Sequence, residues 1–150
     1  MEIEKVETGK KTYLALLLLA DEQEEMIDRY LDRGTMYLLK DGGVKAECVV
    51  TDEGDGVLEI KNIAVLPACR GRGYGRALIA FLEETCGGAY TVLRAGTGDS
   101  PATVPFYEKC GFVRDGIVKN FFLDHYDHPI YECGVRLTDM VYFRRDLQSR

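Results

Sequence analysis

The chain has 150 residues, 46% of them hydrophobic and 29% charged, and its formal net charge is −6. This length and composition suit a single folded domain over residues 1–150 and exclude a disordered or repetitive chain. The acidic balance argues against nucleic acid and anionic membranes as partners, because both bind net basic surfaces.

The first third of the chain predicts a strand followed by two helices. Residues 2–7 indicate a short strand, and the apolar run 13–20, which is too short to span a bilayer, indicates a buried helix. Asp21 precedes Glu24 by three residues, which is the spacing of a capping box. We therefore expect Asp21 to cap a second helix, which Gly34 ends.

The middle of the chain predicts an antiparallel meander. Segments 36–39, 44–50 and 57–65 have the composition of strands. Turns rich in Asp and Gly connect them at 41–43 and 52–56. Three strands joined by short turns indicate that this part of the sheet is antiparallel.

The remaining elements complete an α+β pattern. A Gly-rich turn at 70–76 leads into a helix whose apolar residues repeat at helical spacing, and a short strand at 90–94 follows. A further helix is predicted at 102–110. Strands at 112–122 and 138–147, joined by a polar and aromatic loop, end the chain.

The cysteine and histidine content favours neither a disulfide framework nor a metal site. The chain has five cysteines, no two of which form a Cys-x-x-Cys motif, and only two histidines. We therefore expect reduced thiols in a cytoplasmic protein and no bound metal.

The turn from Arg70 to Arg76 has the residue types of an anion site. Free N–H groups at the start of the following helix carry the positive end of the helix dipole. The glycines let a phosphate approach the main chain, and the arginines add positive charge. A dinucleotide-binding fold is disfavoured, because the third glycine of that motif is missing at the required spacing. A tight turn that binds nothing is the other alternative.

Two motifs of this chain together resemble the GCN5-related N-acetyltransferase (GNAT) family. Arg70-x-x-Gly73-x-Gly75 is similar to the coenzyme A signature of that family, and the segment 106–112, Phe-Tyr-Glu-Lys-Cys-Gly-Phe, resembles its second motif. The resemblance implies an α+β fold with a central sheet of six to seven strands, mixed but mostly antiparallel, flanked by about four helices. It also implies an acetyltransferase with acetyl-CoA as co-substrate.

The resemblance further implies which residues bind acetyl-CoA. Main-chain groups of 63–65 would pair with the pantetheine arm, and the amides of 70–75 would hold the diphosphate. Asp99 lies where the family often has an asparagine that touches the pantetheine. The predicted cofactor-binding residues are Ile63, Ala64, Val65, Arg70, Gly71, Arg72, Gly73, Tyr74, Gly75, Arg76, Asp99 and Tyr107.

Acetyl transfer to an amine needs a base for the ammonium and an acid for the leaving thiolate. Tyr107 lies at the position that resembles the general acid of the family. Glu59 precedes Arg72 by 13 residues, a spacing similar to that of the glutamate base in histone-type members. A surface glutamate paired with Lys61 or with a neighbouring strand is the alternative interpretation of Glu59. His125 is the alternative base, because imidazole titrates near neutral pH.

The acceptor is predicted only by its class, a small-molecule amine. Asn62 is expected to reach it only if a bulge rotates the strand that carries it. The long loop 123–136 favours a closed pocket over the open groove of a protein or peptide N-acetyltransferase. The candidate substrate contacts are Asn62, Phe122, His125 and Tyr126.

Three further interpretations accompany this prediction. One is a non-catalytic sensor or interaction module that binds coenzyme A, and another is a homodimer of the kind common among GNAT proteins. The C-terminal part, with His125-Tyr126, Gly134 and Asp139-Met140, also resembles a bacterial subfamily sometimes labelled indole-acetate acetyltransferase. Indole acetate, however, offers no amine to an acyl donor.

Overall fold

The computed structural model describes residues 1–147 and has a seven-stranded sheet at its centre. From one edge to the other, the strands of this sheet are the first, second, third, fourth, fifth, ninth and sixth in sequence. The fourth and fifth strands pair in parallel, and the other neighbouring strands pair antiparallel. The strands are β1 (Glu2–Lys5), β2 (Thr35–Lys40), β3 (Val44–Gly54), β4 (Val57–Val65), β5 (Val92–Gly98), β6 (Val113–Val118), β7 (Tyr131–Glu132), β8 (Val135–Arg136) and β9 (Met140–Asp146). Strands β7 and β8 form a separate antiparallel ribbon.

Helices cover both faces of the large sheet. The helices are α1 (Leu14–Leu17), α2 (Glu24–Asp28), α3 (Tyr74–Cys86), α4 (Val104–Lys109) and α5 (Phe121–His125). Leu78 and Leu82 of α3, four residues apart, are fully buried against one face of the sheet. Leu17 of α1 and Ile27 of α2 are fully buried against the other face. The two layers therefore rest on opposite sides of β3 and β4.

The sheet opens between β4 and β5. These strands pair from Val57 opposite Val92 to Ile60 opposite Ala95, and the pairing stops there. Strand β4 continues to Val65, whereas β5 beyond Ala95 pairs only with β9 on its other side. The second halves of two central strands consequently diverge, and a gap passes through the sheet.

A β-bulge in β4 changes which face its residues use. Val50 of β3 lies opposite Ile60, but the next residue, Val49, lies opposite Asn62, so Lys61 has no partner on β3. Ile60 packs on the α3 face of the sheet, whereas the Asn62 side chain contacts Leu17 on the α1–α2 face. From the sequence, Asn62 was expected to reach the substrate only if a bulge rotated this strand, and the structure contains such a bulge.

Some local predictions are wrong. Asp21 does not cap α2, whose N-cap residue is Gln23 and makes no side-chain cap. The Asp21 carboxylate instead accepts hydrogen bonds from Tyr30 and Tyr126. The strand predicted at 112–122 ends at Val118, and its last residues belong to α5.

The fold class is confirmed as mixed α+β. The large sheet has seven strands and is mostly antiparallel, and five α-helices accompany it. Within residues 1–147, no helix has both the length and the apolar character that crossing a membrane requires.

Candidate active site

A cleft of about 840 Å³ occupies the gap between β4 and β5. It begins at the N-terminus of α3 and reaches the α1–α2 face of the sheet. Its wall includes most of the residues that the sequence predicted for acetyl-CoA. Its lining residues are Leu19, Ala20, Ile60, Lys61, Asn62, Ile63, Ala64, Val65, Cys69, Arg70, Gly71, Gly73, Tyr74, Gly75, Arg76, Gly96, Thr97, Ala102, Thr103, Phe106, Tyr107, Lys109, Cys110, Glu132 and Cys133.

One end of the cleft is a cationic helix terminus. Gly73 is the N-cap of α3 with φ of 85°, a conformation that glycine adopts without strain, and no side chain caps the helix. The first amides of α3 therefore keep their N–H groups for an external acceptor. Arg70 and Arg76 line the cleft beside these amides, and neither forms an ion pair with a carboxylate among residues 1–147. This end can hold a phosphate group.

The main chain of β4 supplies free hydrogen-bonding groups along the cleft. The N–H of Leu66 donates to the carbonyl oxygen of Lys45, and the register places Val65 opposite Ala46. Hydrogen-bonded pairs alternate along an antiparallel ladder, so the polar groups of Ile63 and Val65 point away from β3. Because β5 has diverged at this level, these groups face the cleft and can pair with an extended ligand.

Tyr107 forms part of the cleft wall. Its ring stacks on Phe143, with centroids 5.6 Å apart, and is only 4% exposed. The hydroxyl group forms no hydrogen bond with any residue in the described part of the chain, although Tyr107 lines the cleft. Burial raises the pKa of this phenol, which therefore stays protonated at neutral pH. A protonated hydroxyl without a protein partner is available as a proton donor.

A hydrogen-bonded network supports the cleft on the α1–α2 face of the sheet. The Nδ2 group of Asn62 donates to the carbonyl oxygen of Leu17 and to the hydroxyl of Tyr30, both at 3.0 Å. Tyr30 in turn donates to Asp21, which also accepts from Tyr126 at 2.7 Å. These bonds fix the amide of Asn62 in one orientation. Its Oδ1 atom is buried and has no hydrogen-bond partner among the described residues.

Glu47 is a buried carboxyl that the sequence analysis missed. It is fully buried on β3 opposite Ala64, a residue of the cleft wall. Neither carboxyl oxygen has a hydrogen bond of standard geometry within residues 1–147. Burial raises the pKa of Glu47 well above its ordinary range, and the amide of Ala64 offsets only part of this. The signal in the sequence was one acidic residue inside the apolar run 46–50.

The structure places Glu59 outside the cleft lining. Its carboxylate accepts a hydrogen bond from Arg94 at 2.6 Å and lies 2.6 Å from Nζ of Lys61. The residue is 3% exposed and lies on a strand edge that is still paired with β5. Two cations thus engage the carboxylate, so Glu59 has the ion pairs of the alternative interpretation but is buried and not a surface residue.

The other predicted site residues divide into two groups. Six do not line the cleft, namely Glu59, Arg72, Asp99, Phe122, His125 and Tyr126. Among these, Asp99 is exposed and lies 3.4 Å from Arg114, and Phe122 is buried in a small cluster with Ile130 and Leu137. His125 is exposed, and its ring lies 4.6 Å from that of Phe121. The eleven that do line it are Asn62, Ile63, Ala64, Val65, Arg70, Gly71, Gly73, Tyr74, Gly75, Arg76 and Tyr107.

Sequence reasoning also missed several residues at the end of the cleft that reaches the α1–α2 face of the sheet. Leu19 and Ala20, after α1, line the cleft together with Glu132 and Cys133 of the β7–β8 ribbon. Glu132 accepts a hydrogen bond from Ser100 at 2.7 Å. These segments are far apart in the sequence, so only the fold shows that they meet.

Comparisons with known proteins identify the same architecture. Residues 32–114 match the acetyltransferase (GNAT) domain. The uncharacterized N-acetyltransferase YvbK of Bacillus subtilis (strain 168) is 37% identical, with 95% of this chain and 96% of the relative aligned.

Two solved structures are similar over nearly their whole length. The IAA acetyltransferase from Bacillus cereus ATCC 14579 is 36% identical with a TM-score of 0.89, covering 97% of this chain and 99% of the other. A GNAT family acetyltransferase from Elizabethkingia anophelis, solved with acetyl-CoA bound, is 35% identical with a TM-score of 0.87, covering 97% of each chain. The chain described here therefore belongs to the GNAT family of acetyltransferases.

Proposed function

We propose that this protein transfers the acetyl group of acetyl-CoA to a primary amine of a small molecule, directly and in a ternary complex. The observation that carries the proposal is the end of β4–β5 pairing at Ile60 and Ala95. This opening connects a phosphate-binding helix terminus on one face of the sheet with an acceptor chamber on the other. A bound thioester could therefore meet an amine that enters from the opposite side.

The cleft residues fit acetyl-CoA as the acyl donor. The free amides of α3, with Arg70 and Arg76, match its diphosphate in charge and in hydrogen bonding. The main-chain groups of Ile63 and Val65 match the two amides of the pantetheine arm as an added strand would. Acetyl-CoA supplies an activated thioester, whose carbonyl carbon the amine attacks.

Tyr107 is the proposed proton donor to the leaving thiolate. Its hydroxyl is protonated at neutral pH and lacks a protein partner, as described above. Attack by the amine forms a C–N bond and breaks the C–S bond, and the sulfur then takes the proton of Tyr107. Asn62 and Glu132 line the acceptor end, where an acidic side chain favours a cationic substrate.

Direct transfer is distinguished from a covalent acetyl-enzyme by initial-rate kinetics. Burial raises the pKa of the Cys110 thiol, which makes it a poor nucleophile at neutral pH. Cys133 lines the cleft and is exposed. We expect intersecting double-reciprocal plots and full activity in Cys133→Ser. Parallel plots that depend on Cys133 would overturn direct transfer.

The decisive experiment is a screen of amines that follows release of free coenzyme A thiol. A panel of n-butylamine, 1,4-diaminobutane, tyramine and peptides with free N-termini separates small acceptors from peptide acceptors. In parallel, acetyl-CoA should raise Tm by ligand linkage. Binding of acetyl-CoA without release of thiol for any amine would contradict the proposed enzyme and favour a sensor.

Two further features support a cytoplasmic location and a homodimer. All five cysteines are free, which suits a reducing cytoplasmic environment. Strand β6 is an edge strand exposed along its whole length, with Val113 61% and Ile117 58% exposed. A strand with one free edge and large exposed apolar side chains is a surface on which a second copy can pair, so we include a homodimer in the proposal.

A further inference from the structure

Three buried side-chain atoms lack a hydrogen-bond partner in the described part of the chain, and all three are acceptors. They are the two carboxyl oxygens of Glu47 and Oδ1 of Asn62. Buried polar atoms almost always have a hydrogen-bond partner, so a group of buried acceptor atoms without one indicates that a donor is missing. The missing partner must therefore be a group that supplies hydrogen atoms.

The register brings these acceptors together beside the cleft. Glu47 lies opposite Ala64, and Asn62 is two residues from Ala64 on the same strand. Such diagonal neighbours lie about 7 Å apart, a span that their side chains and one water molecule can bridge. Both residues use the α1–α2 face, because the bulge at Lys61 turns Asn62 toward it. Ala64 and Asn62 line the cleft, and Glu47 lies opposite Ala64 on the neighbouring strand.

We propose that Glu47 accepts the proton of the substrate ammonium through one water molecule, which Asn62 Oδ1 holds in place. The proposal rests on the function proposed above and names its base and its positioning residue. A water at this position donates one hydrogen to Asn62 Oδ1 and one to Glu47. Its free lone pair then accepts an N–H of the ammonium group.

The proton transfers balance without another reactant. The ammonium gives a proton to the water, which passes one to Glu47, so the amine becomes neutral and the carboxylate becomes a carboxylic acid. The amine nitrogen bonds to the thioester carbon, the C–S bond breaks, and the sulfur takes the proton of Tyr107. The new amide nitrogen returns its second proton to the Tyr107 phenolate, and Glu47 later releases its proton to solvent.

The surroundings of Glu47 allow its titration to be observed separately. The titratable groups coupled to it by charge are Cys48 on the same strand, Tyr30 after α2 and Tyr107 on α4. Burial raises the pKa of each of these three groups, so all stay neutral between pH 5 and pH 8. A raised pKa of Glu47 places the acidic limb of the pH–rate profile above the ordinary glutamate value of about 4.3.

The test compares Glu47→Gln with wild type, using n-butylamine as acceptor and acetyl-CoA at saturation. We expect kcat to fall about 100-fold or more, the acidic limb to vanish, and the KM for acetyl-CoA to stay unchanged. Glu47→Asp should keep the limb at a reduced rate, and Asn62→Ala should lower kcat while keeping the limb. Glu25→Gln, which removes an exposed carboxyl outside the cleft lining, is the matched control.

An infrared titration provides a readout that does not depend on turnover. The difference between the wild-type and Glu47→Gln spectra should contain the C=O band of a protonated carboxyl that disappears at the pH of the kinetic limb. Subtracting the variant removes the contribution of Asp21, whose pKa burial also raises. If Glu47→Gln keeps the limb, or if Glu59→Gln removes it instead, Glu47 is not the base. If wild type binds acetyl-CoA but acetylates none of the amines, the proposed function itself fails, which these readouts distinguish from a wrong base.

Discussion

Gly75 and Phe106 touch across the interface between α3 and α4: a methyl group at position 75 would lie 2.9 Å from Cε1 of Phe106. This distance is shorter than any ordinary contact between carbon atoms. Gly75 also lines the cleft at the N-terminus of α3. The glycine therefore permits α4, which carries Tyr107, to lie close to the N-terminal end of α3.

Gly75→Ala should weaken both stability and catalysis. Helix propensity alone favours alanine, but the contact with Phe106 should reverse the sign and lower the free energy of unfolding by about 1–3 kcal/mol. The KM for acetyl-CoA should rise because α4 has to shift. Urea unfolding and steady-state kinetics measure both effects. Gly88→Ala is the control, since a methyl group there meets nothing within 4 Å.

Tyr107→Phe should separate chemistry from packing. Phenylalanine keeps the stacking on Phe143 and loses only a hydroxyl that has no protein partner. We expect kcat to fall about 100-fold while Tm and the KM for acetyl-CoA stay near the wild-type values. A variant that keeps full kcat would show that another group, or water, protonates the thiolate.

Arg70→Ala should weaken binding of acetyl-CoA without changing the chemical step. A charged hydrogen bond to phosphate contributes about 1.5–3 kcal/mol, so KM should rise roughly 10-fold or more, and the loss should shrink at high salt. Arg72 does not line the cleft, so Arg72→Ala should have a smaller effect. Arg29→Ala, on the exposed side of α2, controls for net charge. Equal effects in all three variants would argue against a specific diphosphate site.

Glu47→Gln should change how stability depends on pH. The pKa of Glu47 is raised in the folded state, so the folded protein holds this proton more tightly than the unfolded chain does. That stabilisation is complete below the ordinary pKa of about 4.3 and is lost as the pH rises through the raised value. The variant should match wild type near pH 4 and be more stable at pH 8, by about 1–3 kcal/mol. Urea unfolding at both pH values checks this, and an equal difference at both would contradict it.

Ile117→Lys should test the proposed homodimer. A charge on this exposed position of the edge strand opposes pairing with a second copy. We expect wild type to elute as a dimer and the variant as a monomer in size-exclusion chromatography with light scattering. A monomeric wild type, or a variant that stays dimeric, would exclude β6 as the interface.

Local sequence patterns predicted the elements around the N-terminus of α3 well. The helix after the Gly-rich turn, the turn itself and the segment of Tyr107 each depend on nearby residues, whose spacing the sequence displays. The bulge in β4 was anticipated only as a condition, because a single unpaired residue such as Lys61 leaves no mark in composition.

Long-range contacts explain what the sequence did not reveal. Asp21 has the spacing of a helix cap, but its carboxylate is instead hydrogen-bonded to Tyr126, 105 residues away. The spacing that singled out Glu59 is local, and nothing local shows that Arg94 engages its carboxylate. The end of the cleft on the α1–α2 face is formed by segments near residues 19, 62 and 132, and no periodicity of the sequence connects these segments.

The unpaired Lys61 has a consequence for how this strand tolerates change in length. Because side chains alternate along a strand, regular pairing that included Lys61 would turn Asn62 to the α3 side, away from Leu17 and Tyr30. Deleting Lys61 would instead remove the bulge and leave Asn62 opposite Val49 on the α1–α2 side. Deleting a paired residue such as Ile63 would move Ala64 to the other face, so we expect it to cost more activity than deletion of Lys61.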